Sequence, residues 1–195
     1  GEVVVDGETV TSPGPDRGMV FQDSVLYPWL TVEENIGWGL KVQGVDREGR
    51  KASVREFIDM IGLDGFEEAY PAELSGGMQQ RAAMARVLVC NPGVLLMDEP
   101  FGALDEQTRE VMQTELLDIW ERTGQTCVFV THSIDEALFL SDRVLVLTAR
   151  PGQIKLEADL SGFGRPRDDS LKQSKTYRSK RQKVWNIIRE EVSIA

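Results

Sequence analysis

The chain has 195 residues, enough for one domain with a real core and a small subdomain. Its 41% hydrophobic and 28% charged residues are ordinary for a globular protein, and no run nears the roughly eighteen apolar residues of a membrane-crossing helix. A net charge of −10 argues against a general nucleic-acid binder, and one histidine with two cysteines cannot make a convincing metal cluster.

In chain order, residues 2–5 (EVVV) are expected as a strand, Asp6-Gly7 as a hairpin turn and residues 8–11 as the return. After a loop with Pro13 and Pro15, residues 18–21 read as another short strand, ending at Gln22. From 26 to 66 the pattern turns helical. Thr31 and Glu34 have capping-box spacing, with Asn35, Ile36, Trp38 and Leu40 following. Residues 44–49 read as a loop. Residues 51–61 read as an amphipathic helix with Val54, Phe57, Ile58 and Ile61 on one face. Tyr27, Pro28, Trp29 and Leu30 are apolar in a loop-like stretch, which both a local core and a partner groove would explain.

Ser75-Gly76-Gly77 stands just ahead of a helical pattern over 78–90. Small residues there leave backbone N–H groups bare where a helix dipole favours negative charge. Met84, Val87 and Leu88 mark the buried face of that helix, Arg81 and Arg86 read as solvated or paired, and Asn91-Pro92-Gly93 stops it. The apolar run 94–97 ends in Asp98-Glu99-Pro100. It reads as a buried strand with two carboxylates at its carboxyl end, where α/β sheets place ligands. A phosphate cradle followed by a metal-holding acid suggests nucleotide chemistry. Asp98 suits Mg²⁺, and Glu99, one residue on, suits a general base for an attacking water.

Residues 106–122 read as a helix with Met112, Leu116, Ile119 and Trp120 inward, ended by Gly124. A strand over 127–130 runs into Thr131-His132, and Ser133 to Glu136 again has capping-box spacing. Residues 143–148 form a strand, 149–152 a turn and 153–157 the return, so strands alternate with helices as in an α/β sheet. Cys90 and Cys127 lie in apolar patterns and read as small buried hydrophobes, not a disulfide. Beyond Ser161 come a glycine-rich loop, a basic stretch over 172–183, and Tyr177, Val184, Trp185, Ile188 and Val192 at helical spacing. That pattern fits an amphipathic helix docked on the domain; a lipid-binding helix is the other reading.

Four of these stretches together resemble one family. LSGGMQQR is similar to the signature motif of ATP-binding cassette (ABC) ATPases, VLLMDEP to their Walker B strand, FGALD to their D-loop and Thr131-His132 to their H-loop. Met78 stands where many members have Gln. The resemblance implies an α/β, P-loop NTPase-like ABC ATPase core with a mostly helical subdomain and an incomplete N-terminal β part. The RecA-like core would comprise 1–22 and 91–160, the helical subdomain with the signature 23–90, and a tail helix 161–195. It implies ATP and Mg²⁺ as cofactors. Gln22 becomes the Q-loop residue that reaches the magnesium ion and the attacking water. His132 contacts the γ-phosphate. Asp105 acts across a dimer interface, and Ser75, Gly76 and Gly77 face the ATP held by the opposite subunit.

The stretches VFQDSVLYPWLTVEENIGWGL, LLMDEPFGALDEQTR and VLVLTARPGQI, with GRPRDD in the tail, look like the ATPase subunit of importers for nitrate, sulfonate or taurine. That group implies a second ATPase subunit as homodimer partner, two transmembrane permeases and, indirectly, a substrate-binding protein. No nucleic acid is involved, and the place is the cytoplasmic face of the membrane, peripherally. The P-loop pattern G-x-x-x-x-G-K-[ST] does not occur in the sequence, and no aromatic can be assigned to adenine stacking. Family members carry both ahead of the strand that GEVVVDG resembles. The expectation is therefore an N-terminally truncated fragment, by itself inactive, rather than a natural pseudo-enzyme. The rival readings are a non-catalytic partner that donates only its signature, and a non-transport ABC ATPase, which would need a coiled-coil insertion or a second cassette.

Overall fold

The computed structural model describes residues 1–192. At its start β1 (Val4–Val5) and β2 (Glu8–Thr9) pair antiparallel across Asp6 and Gly7. Both turn residues have positive φ, 51° and 84°, as a type I′ hairpin turn requires. The hairpin is shorter than its sequence pattern, because Val3 and Val4 remain exposed and burial adds nothing to extend it.

The central sheet is parallel, with β3 (Arg17–Val20), β4 (Val94–Asp98) and β5 (Thr126–Val130) in the order β3-β4-β5. Its register pairs Val20 with Met97, Met97 with Phe129 and Asp98 with Val130. The three strands therefore end nearly level, and Gln22, Glu99 and His132 emerge along one edge. Strand side chains alternate between faces. Val20, Leu95 and Met97 are buried on one face, whereas Met19, Val128 and Val130, with Phe21 just beyond β3, are exposed.

Helices α1 (Val32–Val42), α2 (Arg47–Met60) and α3 (Gly76–Leu88) pack with this sheet in one apolar core. The Thr31–Glu34 capping box forms in both directions, at 3.3 and 3.1 Å. Asn35, fully buried, donates to the carbonyls of Tyr27, Leu30 and Thr31 and accepts from the Tyr27 N–H. One side chain thus fixes the loop that leads into α1. Helix α2 starts inside the expected 44–49 loop, because the Asp46 carboxylate caps it by accepting from Gly49 N–H. Helix α3 likewise starts two residues early, with Ser75 as its cap. Just past its end, Cys90 sits so close to α1 that a Cβ on Gly39 would collide with its Sγ. Arg81 donates to the carbonyls of Ile61 and Gly62, and Arg86 lies over the Tyr27 ring at 5.2 Å. Burial draws both guanidinium groups below their usual pKa.

Helix α4 (Glu106–Thr123) buries the four expected residues together with Leu117, and ends where Gly124 takes φ 64°. Both cysteines are free and half-buried; burial pushes the Cys127 thiol up to about 12, which makes it a poor nucleophile. A second apolar core joins α5 (Ile134–Leu140), the antiparallel pair β6 (Arg143–Leu147) and β7 (Ile154–Asp159), and the tail. The tail holds α6 (Asp169–Gln173) and α7 (Lys175–Val192). Tyr177 and Val184 point inward, but Trp185 is exposed, since neighbours on a helix point about 100° apart. The expected placement of Val192 falls outside the described side chains. The Tyr177 hydroxyl and the Arg181 guanidinium both meet Asp135 at the start of α5. Among the described residues no helix is long and apolar enough to cross a membrane.

Candidate active site

The site begins where β4 ends. Glu99 N–H donates to Val130 O at 2.9 Å, continuing the ladder one step past the strand, and the residue then takes φ 45°. A left-handed non-glycine residue costs on the order of 1–3 kcal/mol and persists only where its surroundings fix it. Here Gly102 N–H donates back to Glu99 O at 3.1 Å. The turn aims the Glu99 carboxylate between two neighbours. His132 Nε2 stands 2.7 Å from Oε1, and Gln22 Nε2 donates to Oε2 at 3.1 Å. The carboxyl group is 23% exposed but the imidazole 88%, so the acid is enclosed while the ring is open to whatever approaches. Asp98 is half-buried on the uncovered side of the sheet, and its carboxylate makes no hydrogen bond or ion pair among the described residues.

A second group lies at the start of α3. Ser75 and Gly76 are exposed and Gly77 is half-buried. Ser75 Oγ accepts from Met78 N–H at 3.3 Å. A Cβ on Gly76 would meet nothing within 4 Å, and one on Gly77 only ordinary contacts, with Leu104 at 3.5 Å and Ala103 O at 3.9 Å. The packing of this chain therefore does not require either glycine. Asp105 caps α4, accepting from Thr108 N–H at 3.0 Å and Thr108 Oγ1 at 2.7 Å. These bonds hold its carboxyl below the usual carboxylate range. Among the described residues no hydrogen bond or ion pair joins this group to Glu99, Gln22 or His132.

Several supporting residues escape sequence reading. Gln80 is fully buried and donates to Phe21 O, next to Gln22, while Gln79 accepts from Ser24 Oγ. These bonds tie α3 to the loop after β3. The expected box at Ser133 is only half formed. Ser133 Oγ accepts from Glu136 N–H at 3.3 Å, but the Glu136 carboxylate turns to Thr131 Oγ1 and Arg109. A glutamate on the inner face of a short helix, with an arginine four residues after Asp105, was the available signal. It cannot be read until the two helices are placed side by side.

A parallel α/β sheet with acids, an amide and an imidazole at its carboxyl edge, beside a helical layer with a glycine-rich helix start, is the architecture of a nucleotide-binding cassette. The ABC transporter family pattern matches residues 1–102. An uncharacterized ABC transporter ATP-binding protein of Methanocaldococcus jannaschii is 52% identical over 194 residues, 98% of this chain and 70% of that protein. The nitrate import ATP-binding protein NrtD of Synechocystis sp. is 48% identical over 193 residues (99% and 71%). The taurine import ATP-binding protein TauB of Rhizobium johnstonii is 46% identical over 192 (96% and 73%). A dimeric, post-hydrolysis structure of the ATP-binding cassette MJ0796 bound to ADP and Pi superposes with a TM-score of 0.71 at 33% identity, covering 82% of this chain and 73% of that one. The chain belongs to the ABC transporter family, among its ATP-binding subunits.

Proposed function

We propose that this chain forms the catalytic edge of an ATPase subunit driving import of a small anion such as nitrate, a sulfonate or taurine. The observation that carries the reading is the meeting of Gln22 and His132 on Glu99 at three level strand ends. Glu99 acts as general base toward a water, and Gln22 holds that water's other side. His132, the exposed member, reaches the γ-phosphate. Phosphoryl transfer needs positioning and charge stabilisation more than covalent help, and this edge offers both. The free Asp98 carboxylate fits a hard cation, with Gln22 as its neighbour. Mg²⁺ takes one or two carboxylates and completes its shell with waters and phosphates, so the lack of any larger acidic cluster among the described residues is compatible with it. When bound, it would neutralise charge on the phosphates.

The open Gly76 and Gly77 backbone and Asp105 serve a second copy of the chain, facing the ATP held there. Residues 1–22 with 91–160 act as the ATPase core, 23–90 as the arm carrying the signature, and 161–195 as a docked tail. Two permeases engage the arm where Trp29 is 69% exposed, near a cleft of about 290 Å³ between α1 and α2 lined by Trp38 and Val54 and by the charged Glu33, Glu34, Arg47 and Arg50. The subunit sits peripherally at the cytoplasmic membrane face, receives no nucleic acid, and meets a substrate-binding protein only through the permeases.

Two measurements test the reading. Calorimetry on these 195 residues should show no micromolar ATP binding, because the sequence holds no P-loop lysine; tight binding would overturn that part. Membrane vesicles holding the permeases and a subunit that joins this sequence to a P-loop segment should take up nitrate, taurine or an alkanesulfonate in an ATP-dependent way, and loss of uptake in His132→Ala is expected. Undiminished uptake would remove His132 from the mechanism. The signature-donor reading is separated by mixing this chain with a signature-dead, P-loop-intact partner. ATPase activity restored only in the mixture would favour it.

A further inference from the structure

Two loops reach the site from neighbouring strands. Residues 100–104 lead to Asp105, and residues 131–133 carry His132. Among the described residues no backbone hydrogen bond joins them. Side chains do. Arg109, in the first turn of α4, donates from Nη2 to Leu104 O at 2.7 Å and from Nε to Phe101 O at 3.5 Å. The same Nε lies 3.7 Å from Glu136 Oε1. Glu136 is only 8% exposed, and its other oxygen accepts from Thr131 Oγ1. That hydroxyl in turn accepts from Ser133 N–H at 3.0 Å, closing around His132. Beneath, the Phe101 and Phe129 rings pack 5.7 Å apart.

A nearly buried carboxylate is costly without its cation, so Glu136 cannot let Arg109 go freely. The planar guanidinium fork, for its part, fixes two carbonyls of the first loop at once. We propose that Arg109 and Glu136 are positioning residues that make the two loops move together. Pressure on Asp105 from a docking molecule is carried to His132 and alters its contact with Glu99. The functional meaning of this link rests on the proposed roles of Asp105 and His132; the link itself does not.

Spatial adjacency is not coupling, which a double-mutant comparison measures. His132 is the only histidine in the chain, so its ring resonances are assigned by composition alone. In this chain, Asp105→Ala is expected to shift the His132 ring signals, while Ser75→Ala, a cap lost elsewhere, leaves them in place. In an Arg109→Lys background, which keeps the charge beside Glu136 but loses the two-carbonyl grip, the Asp105→Ala shift should shrink about threefold or more. A merely structural Arg109 would lower the melting temperature without changing that response. Arg109→Gln repeats the test without the charge. An Asp105→Ala shift of undiminished size in either background, or no shift at all, overturns the proposal. If the shift behaves as expected but His132→Ala leaves phosphate release in the assembled transporter unchanged, the link stands and the catalytic reading of His132 falls.

Discussion

The Glu99 cluster and the 75–77 turn lie in one molecule but use their side chains in opposite ways. At the first, backbone strain at Glu99 is held by neighbours, and three polar side chains are spent on one another. At the second, the one side-chain bond among the described residues is a helix cap, and the two glycines leave backbone that is open at Gly76 and only in ordinary contact range of Leu104 and Ala103 at Gly77. On the proposed function, the first place acts on a bound ligand and the second is approached by another molecule. The contrast predicts that substitutions at the two places separate chemistry from association.

The largest effect is expected for Glu99→Gln. In a transporter whose ATPase subunit joins this sequence to a P-loop segment, it should slow phosphate release by about 10²–10⁴-fold while leaving ATP-driven dimerisation intact by size-exclusion chromatography. Wild-type release would end the general-base role and with it the contrast. Next comes Ser75→Ala, which removes a cap and should cost about 1 kcal/mol in chemical denaturation. Gly76→Ala, by comparison, should stay within about 0.5 kcal/mol of wild type and yet weaken ATP-driven association. A destabilised Gly76→Ala would mean that the glycine serves the chain's own packing after all. A comparison of Glu99→Gly with Glu99→Ala isolates the strain. The glycine variant should be the more stable by about 1 kcal/mol, because only the alanine keeps the left-handed penalty.

The smallest effect concerns pH. Bonds from the Thr108 N–H and hydroxyl hold the Asp105 pKa below the usual carboxylate range, so the folded state binds that proton less readily than the unfolded chain. The resulting stabilisation is present above about pH 4 and is lost as the pH falls through the lowered folded value. The stability difference between the wild type and Asp105→Asn should therefore shrink between about pH 7 and about pH 3. A difference that grew on acidification would contradict the capping geometry.

What the sequence made legible was whatever is local. The apolar run into Asp98-Glu99, the Asp6-Gly7 turn, the Thr31–Glu34 box and the Gly124 stop each depend on a stretch of at most six consecutive residues, and each is found. The misses are non-local. Asn35 reads as one polar residue in a helix, yet it anchors a loop four to eight residues back. Gln80 reaches Phe21 across 59 residues, and Glu136 leaves its own helix cap for Arg109. The expected 44–49 loop gives way to α2 from Arg47, because the Asp46 cap draws Gly49 into the first turn of that helix. The positive φ of Glu99 had no sequence signal, since neither glycine nor asparagine marks it.

The side of the central sheet that carries Met19, Phe21, Val128 and Val130 has a practical corollary at the bench. A dye such as ANS, which brightens on apolar surface, should light up on this chain while it is fully folded and cooperative. Fluorescence of that kind would then be a property of the native state, and near-ultraviolet dichroism, not dye binding, is the assay with which to judge whether a substituted chain has kept its packing.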